Sequence, residues 1–212
     1  MQPTYTKAER IVDGTVHVIG VIASLTAIGI LLGLVIPSGD GRLITAAVIY
    51  GVGLLATFGF SAAYNLALGS RFTEILRRCD HAAIYVMIAG TYTPLALVCI
   101  GGWVGITLLS VVWGVAAIGL VLKLVWHRRF ERLSLFLYLA LGWAGLAAIG
   151  SIIAALPVAA LILLLVGGVV YSVGVVFHLW TRLQFQNAIW HIFVLAAAGC
   201  HYAAVLDAIL PA

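Results

Sequence analysis

The sequence predicts an all-α, polytopic integral membrane protein: a seven-transmembrane-helix bundle with a cytoplasmic N-terminus and an outside C-terminus. Three observations lead there. Of the 212 residues, 64% are hydrophobic and 8% charged, whereas soluble domains run at roughly 45–50% apolar and about 25% charged. A soluble fold of this composition lacks the polar surface to cover itself, and the same figures exclude a disordered chain, a disulfide scaffold and a nucleic-acid module. The apolar residues also gather into seven runs, each long enough for the roughly 20 helical residues that cross a bilayer. Finally, ten of the 11 Lys and Arg residues fall on one side of the membrane when the runs are threaded alternately.

The first run, residues 13–37, follows the polar start Met1 to Arg10. It is too long for a cleaved signal peptide and lacks a small-residue cleavage pattern. Pro37-Ser38-Gly39-Asp40-Gly41 ends it, and 43–68 forms the second run. Gly69 to Arg78 leads to the third, 80–100, and Gly101-Gly102 turns directly into the fourth, 102–122. Lys123 to Arg132 connects to 133–155, Pro157 opens 157–180, and Thr181 to Gln184 precedes the last run, 186–210. Such short connections predict antiparallel neighbours in a single membrane domain over 1–212. Strand-type alternation is absent, which excludes an outer-membrane barrel.

Orientation follows from the charges. Lys7, Arg10, Arg71, Arg77, Arg78, Lys123, Arg128, Arg129, Arg132 and Arg182 share one side, and Arg42 stands on the other. Basic residues mark cytoplasmic loops, so the net charge of +4 reads as a topology signal rather than as a hint of an anionic partner. Trp126 and Trp180 fit the inner interface and Trp103 the outer one. Gly29-x-x-x-Gly33, with Ala147 and Ser151, predicts close helix approach. Cys79, Cys99 and Cys200 lack CxxC spacing and read as small apolar fillers.

Polar groups inside a bilayer need a partner, a cavity or a function. The threading brings most of them to one inner layer: Asp13 and His17 from segment one, Ser61, Tyr64 and Asn65 from two, Asp80 and His81 from three, His178 from six, Asn187 and His191 from seven. His201 and Asp207 lie further out. Asp13/His17, Ser61/Asn65 and Asn187/His191 are each spaced i, i+4, which places each pair on one helix face. His191 and His201 are ten residues apart, roughly 15 Å along a helix, so they cannot share one metal ion. The expectation is a polar pocket near the cytoplasmic surface.

At these residues the chain resembles the hemolysin III family of bacterial membrane proteins, relatives of the progestin and adipoQ receptor family. The matching stretches are Ser61-Ala-Ala-Tyr64, Arg77-Arg-Cys-Asp80-His81-Ala-Ala-Ile-Tyr85, Gly90-Thr-Tyr-Thr-Pro94, and Trp190-His191-Ile-Phe-Val followed by His201. Glu9 and His17 are similar to the family's opening. The resemblance implies seven helices, a bacterial inner (plasma) membrane location, and a zinc site of three histidines near the cytoplasm. One ligand would follow Tyr64 and two would be spaced i, i+4 at the start of segment seven, with Ser61 and Asp80 alongside. In similar membrane ceramidases, zinc-bound water attacks an amide, with the aspartate moving the proton and the serine helping to hold the oxyanion.

This chain departs from that pattern. Asn65 and Asn187 stand at two of the three ligand positions and only His191 remains. An amide oxygen is a poor zinc ligand beside imidazole, so no cofactor is expected, zinc being implied by the resemblance alone. The favoured reading is a pocket that binds a lipid or fatty acid or serves membrane homeostasis, with membrane lipids as partners and no nucleic acid. A zinc-dependent hydrolase of a lipid amide, with Ser61 and Asp80 as its catalytic groups, and a proton or ion conduit are the alternatives. A polytopic bundle is poorly suited to secretion, which speaks against cytolysis.

Overall fold

The computed structural model describes residues 6–126, 129 and 131–210, with Arg132 described by its backbone alone. Arg128 lies outside the described residues. Eight α-helices follow in order: α1 (Lys7–Val35), α2 (Gly41–Leu66), α3 (Thr73–Pro94), α4 (Gly102–Trp126), α5 (Glu131–Gly142), α6 (Ile149–Ala155), α7 (Val158–Leu179) and α8 (Gln186–Ile209). They make seven crossings long and apolar enough to span a membrane, and the described residues contain no strand. The protein is a multi-pass membrane protein.

The helix ends follow local chemistry. Thr6 and Glu9 form a capping box on α1, with Glu9 N–H donating to Thr6 Oγ1 at 3.2 Å and Thr6 N–H to Glu9 Oε2 at 2.8 Å. Helix α1 therefore starts at Lys7 and takes in the last four residues of the polar start, Lys7 to Arg10, expected to precede it. Asp40 caps α2 by accepting from the N–H groups of Arg42 and Leu43. Helix α3 continues past Pro94 as a π-helical stretch, Leu95–Ile100, because proline offers no N–H to the regular ladder. Gly101 and Gly102, at φ +59° and +53°, then turn the chain into α4, a conformation that other residues adopt only at a cost. The fifth crossing is broken, with a 3₁₀ segment, Ala144–Ala148, between α5 and α6.

Helix α3 sits inside the bundle, against α2, α4, α5 and α8, while α1 lies across α2 and α8 and α7 packs on α8. Large apolar residues such as Ile22, Ile118, Ile162 and Val176 are exposed, whereas Ser24, Thr57, Thr91 and Thr93 are buried and hydrogen-bonded. A hydrocarbon solvent produces that arrangement, since apolar outer faces cost nothing there and polar groups must find partners within the bundle.

Two expectations change. Gly29 and Gly33 have no described atom within 4 Å of an added Cβ, and Ala147 is exposed too, so these three point outward, while Ser151 is half-buried. A close approach of backbones occurs instead between Gly53 of α2 and Gly90 of α3. A Cβ at Gly53 would lie 3.2 Å from Met87 Cα and Val86 O, and one at Gly90 would lie 3.3 Å from Ile49 O. Lys123, expected in a connection, belongs to the last turn of α4 and is 3% exposed. Nearby, Arg77 pairs with Glu131 at 2.7 Å and Arg78 donates to Leu124 O at 3.2 Å, which ties α3 to α4 and α5.

Candidate functional site

Three i, i+4 pairs meet where α1, α2 and α8 come together, at the end of the bundle that carries the N-terminus. Helix α1 supplies Asp13 and His17, both buried. Ser61 and Asn65 lie in the last turns of α2, and Asn187 and His191 in the first turns of α8.

Asp13 is the hub. Its Oδ1 accepts from His191 Nδ1 at 2.8 Å and its Oδ2 from Asn187 Nδ2 at 2.9 Å. The same Asn187 amide reaches Asn65 Oδ1 at 3.1 Å, and Asn65 Nδ2 donates to Ser61 O at 2.9 Å. His191 Nε2 lies 3.4 Å from Ser61 Oγ, so the chain of contacts closes on the residue pair where it began. An ionised carboxylate only accepts, so the network assigns the His191 proton to Nδ1 and leaves Nε2 as the acceptor facing Ser61.

His17 stacks obliquely on His191, with ring centroids 4.2 Å apart. Its Nε2 is 3.3 Å from Asp13 Oδ2 but misaligned for a hydrogen bond, and it is buried without a hydrogen-bond partner. Asp80 of α3, half-buried, hydrogen-bonds Ser61 and lies in the field of His17 and Arg77.

Two openings adjoin the cluster. A cleft of about 430 Å³ runs between the starts of α1 and α8 and the end of α2, with Lys7, Glu9, Arg10, Asp13, Asn65 and Asn187 among its lining residues. Deeper in, a cavity of about 20 Å³ is bounded by His17, Thr57, Ser61 and His191.

The other expected pocket residues are placed differently. Tyr64 and His81 are half-buried beside Asn65 and Asp80, and the His81 carbonyl accepts from Tyr138 OH at 2.8 Å. His178 is exposed, 5.0 Å ring to ring from Trp190. His201, far along α8, bonds the Ala197 carbonyl through Nδ1 at 2.9 Å and packs 5.5 Å from the Tyr171 ring. These last two do not join the cluster. Sequence reasoning missed the part played by Glu9. Besides capping α1, its Oε1 accepts from Phe185 N–H at 3.0 Å, at the left-handed residue (φ 58°) that precedes α8. One carboxylate thus holds two helix starts together and sets Asn187 and His191 opposite Asp13. Its placement four residues before Asp13 was the available signal.

Comparison with known proteins agrees with this architecture. The family described as "Haemolysin-III related" matches residues 5–202. The chain belongs to the haemolysin III family. It is 38% identical over 202 residues to "Hemolysin-3 homolog" of Bacillus subtilis (strain 168), covering 95% of each chain. It is 36% identical to "Hemolysin-3" of Bacillus cereus, over 96% of this chain and 93% of the relative. Human "Monocyte to macrophage differentiation factor" is 30% identical over 163 residues, covering 74% of this chain and 67% of that protein.

The three-histidine zinc set implied for the haemolysin III family does not fit the residues present. Asn187 turns its NH₂ group towards Asp13 and Asn65, and the Asn65 amide is tied to its own helix. A donor group facing the centre repels a cation. A different group, Asp13, His17 and His191, has ligating atoms within 4.8 Å of one another and could hold a metal ion, although Asp13 is already engaged by His191 and Asn187.

Proposed function

We propose that this haemolysin III family protein resides in a bacterial plasma membrane and takes a lipid or fatty acid into the cleft beside Asp13. The carrying observation is the cleft itself. Its volume, about 430 Å³, is that of a small-molecule site. Lys7 and Arg10 at the mouth suit an anionic or zwitterionic headgroup. Asp13, Asn65 and Asn187 give it a polar floor. Ile11 and Leu66, 59% and 61% exposed, line the same cleft and offer an apolar wall along which an acyl chain could continue into the bilayer.

Extraction of the protein purified in mild detergent tests this reading. About one equivalent of a lipid or fatty acid should accompany the wild type and fall several-fold in Lys7→Glu/Arg10→Glu. Only detergent in the extract, or equal lipid in both proteins, would defeat it.

A further inference from the structure

We propose that Ser61, His191 and Asp13 form a metal-independent nucleophile centre that cleaves an acyl ester or amide of a membrane lipid. The substrate class rests on the lipid reading of the cleft; the nucleophile does not. The geometry is that of a hydroxyl, an imidazole and a carboxylate in series. Ser61 Oγ faces His191 Nε2 at 3.4 Å, and His191 Nδ1 is held by Asp13 Oδ1 at 2.8 Å. Such a set is recognised by geometry and roles rather than by position in the chain, and a nucleophile–base contact is commonly long before substrate tightens it. The groups come from α2, α8 and α1, so the alignment is tertiary. Asn187 fixes the second oxygen of Asp13 and thereby orients the carboxylate that orients His191.

The asparagines have a place in this arrangement. The Asn187 amide donates to Asp13 Oδ2 and leaves Oδ1 to His191, and Asn65 Oδ1 accepts from the same amide. The cavity of about 20 Å³ beside Ser61 has room for one water molecule, the space from which a reacting carbonyl would displace it. His17 lines the same cavity, and its Nε2, buried without a hydrogen bond though 3.3 Å from Asp13 Oδ2, is a donor for a developing oxyanion when it carries the proton.

The chemistry balances with water as co-reactant. Ser61 Oγ forms a bond to the acyl carbon as its proton passes to His191 Nε2, and the carbonyl π pair moves to oxygen, facing His17. Collapse restores the carbonyl and breaks the bond to the alcohol or amine, which leaves with the proton from His191. Water then attacks the acyl-serine, giving its proton to His191. Collapse releases the carboxylic acid, and the proton returns to Ser61. Asp13 keeps its charge throughout and acts as a positioning residue.

A short-chain alkyl fluorophosphonate tests the centre on the whole protein in detergent, because it needs only an activated serine. Intact and peptide mass spectra should show one phosphonyl adduct on Ser61, absent from Ser61→Ala and His191→Ala. Asp13→Asn should slow labelling by roughly 10²–10⁴-fold, with a retained cooperative melt, well above the assay temperature, showing that the effect is not loss of fold. In Ser61→Cys, alkylation by iodoacetamide should fall at least tenfold when Asp13→Asn is added, a dependence that a purely structural Asp13 would not produce. Wild-type labelling should survive 1,10-phenanthroline. The proposal fails if folded wild type gives no Ser61 adduct, if chelation abolishes labelling and zinc restores it, or if labelling follows Asp80→Asn but not Asp13→Asn. Failure of lipid co-purification with intact labelling would remove the substrate class and leave the nucleophile standing.

Discussion

Asp13 carries more of the polar network than any other single residue of the cluster. Its two oxygens answer the His191 ring and the Asn187 amide, and His17 presses against it. A hydrogen bond to a charged group contributes about 1.5–3 kcal/mol, and leaving a buried donor without its partner costs a further 1–3 kcal/mol. Asp13→Ala should therefore destabilise the protein by about 3 kcal/mol, read as a melting temperature roughly 6–12 °C lower in detergent. The conservative Asp13→Asn keeps the size and one acceptor and should lose far less. A second substitution concerns the zinc positions. With Asn65→His and Asn187→His together, two imidazoles would adjoin His191 where an amide NH₂ now faces the centre. That double variant should retain about one zinc per chain by elemental analysis, and its melting temperature should rise with added zinc, as for any ligand of the folded state. Absence of zinc from the double variant would mean that Asn65 and Asn187 do not occupy ligand positions.

At the level of the helices, the α2–α3 seam and the outward face of α1 give a matched pair of tests. Backbone atoms of α3 lie 3.2 Å from where a Gly53 Cβ would stand and cannot swing aside as a side chain would. Gly53→Val should cost about 1–3 kcal/mol through overpacking, whereas Gly29→Leu and Gly33→Leu, on open faces, should stay within about 0.5 kcal/mol. Thermal melts of the three variants decide it. The seven crossings were legible in the sequence because a bilayer demands long apolar runs, and the i, i+4 pairs were legible because helix geometry is fixed. The rotation of each helix was not. Asp13 and His17 were expected inward because polar groups in a bilayer need partners, but segment one is otherwise apolar nearly all round, so nothing in its composition said that Gly29 and Gly33 would face outward. The break between α5 and α6 was equally hidden, lying within a continuous apolar run. His178 was misplaced for the same reason: its depth followed from the threading, its direction from packing alone.

The whole bundle is polarised, and that polarity sets which leaflet the proposed lipid site would face. Lys7, Arg10, Arg71, Arg77, Arg78, Lys123 and Arg182 all lie towards the end that holds Asp13, Asn65 and Asn187, because seven antiparallel crossings return every second connection to the same side. Arg42 is at the opposite end, its Nη2 donating to the Leu97 carbonyl at 2.7 Å. Basic connections stay in the cytoplasm during insertion, and a cytoplasmic leaflet rich in anionic lipid attracts the same charges. The cleft should therefore draw its ligand from the inner leaflet. Fusions at the C-terminus, beyond α8, measure this directly in a bacterial host. An odd number of crossings puts the two termini on opposite sides, so alkaline phosphatase fused there should be active and green fluorescent protein dark. The reverse pattern would put Lys7, Arg10 and the cleft on the outer face, away from inner-leaflet lipid.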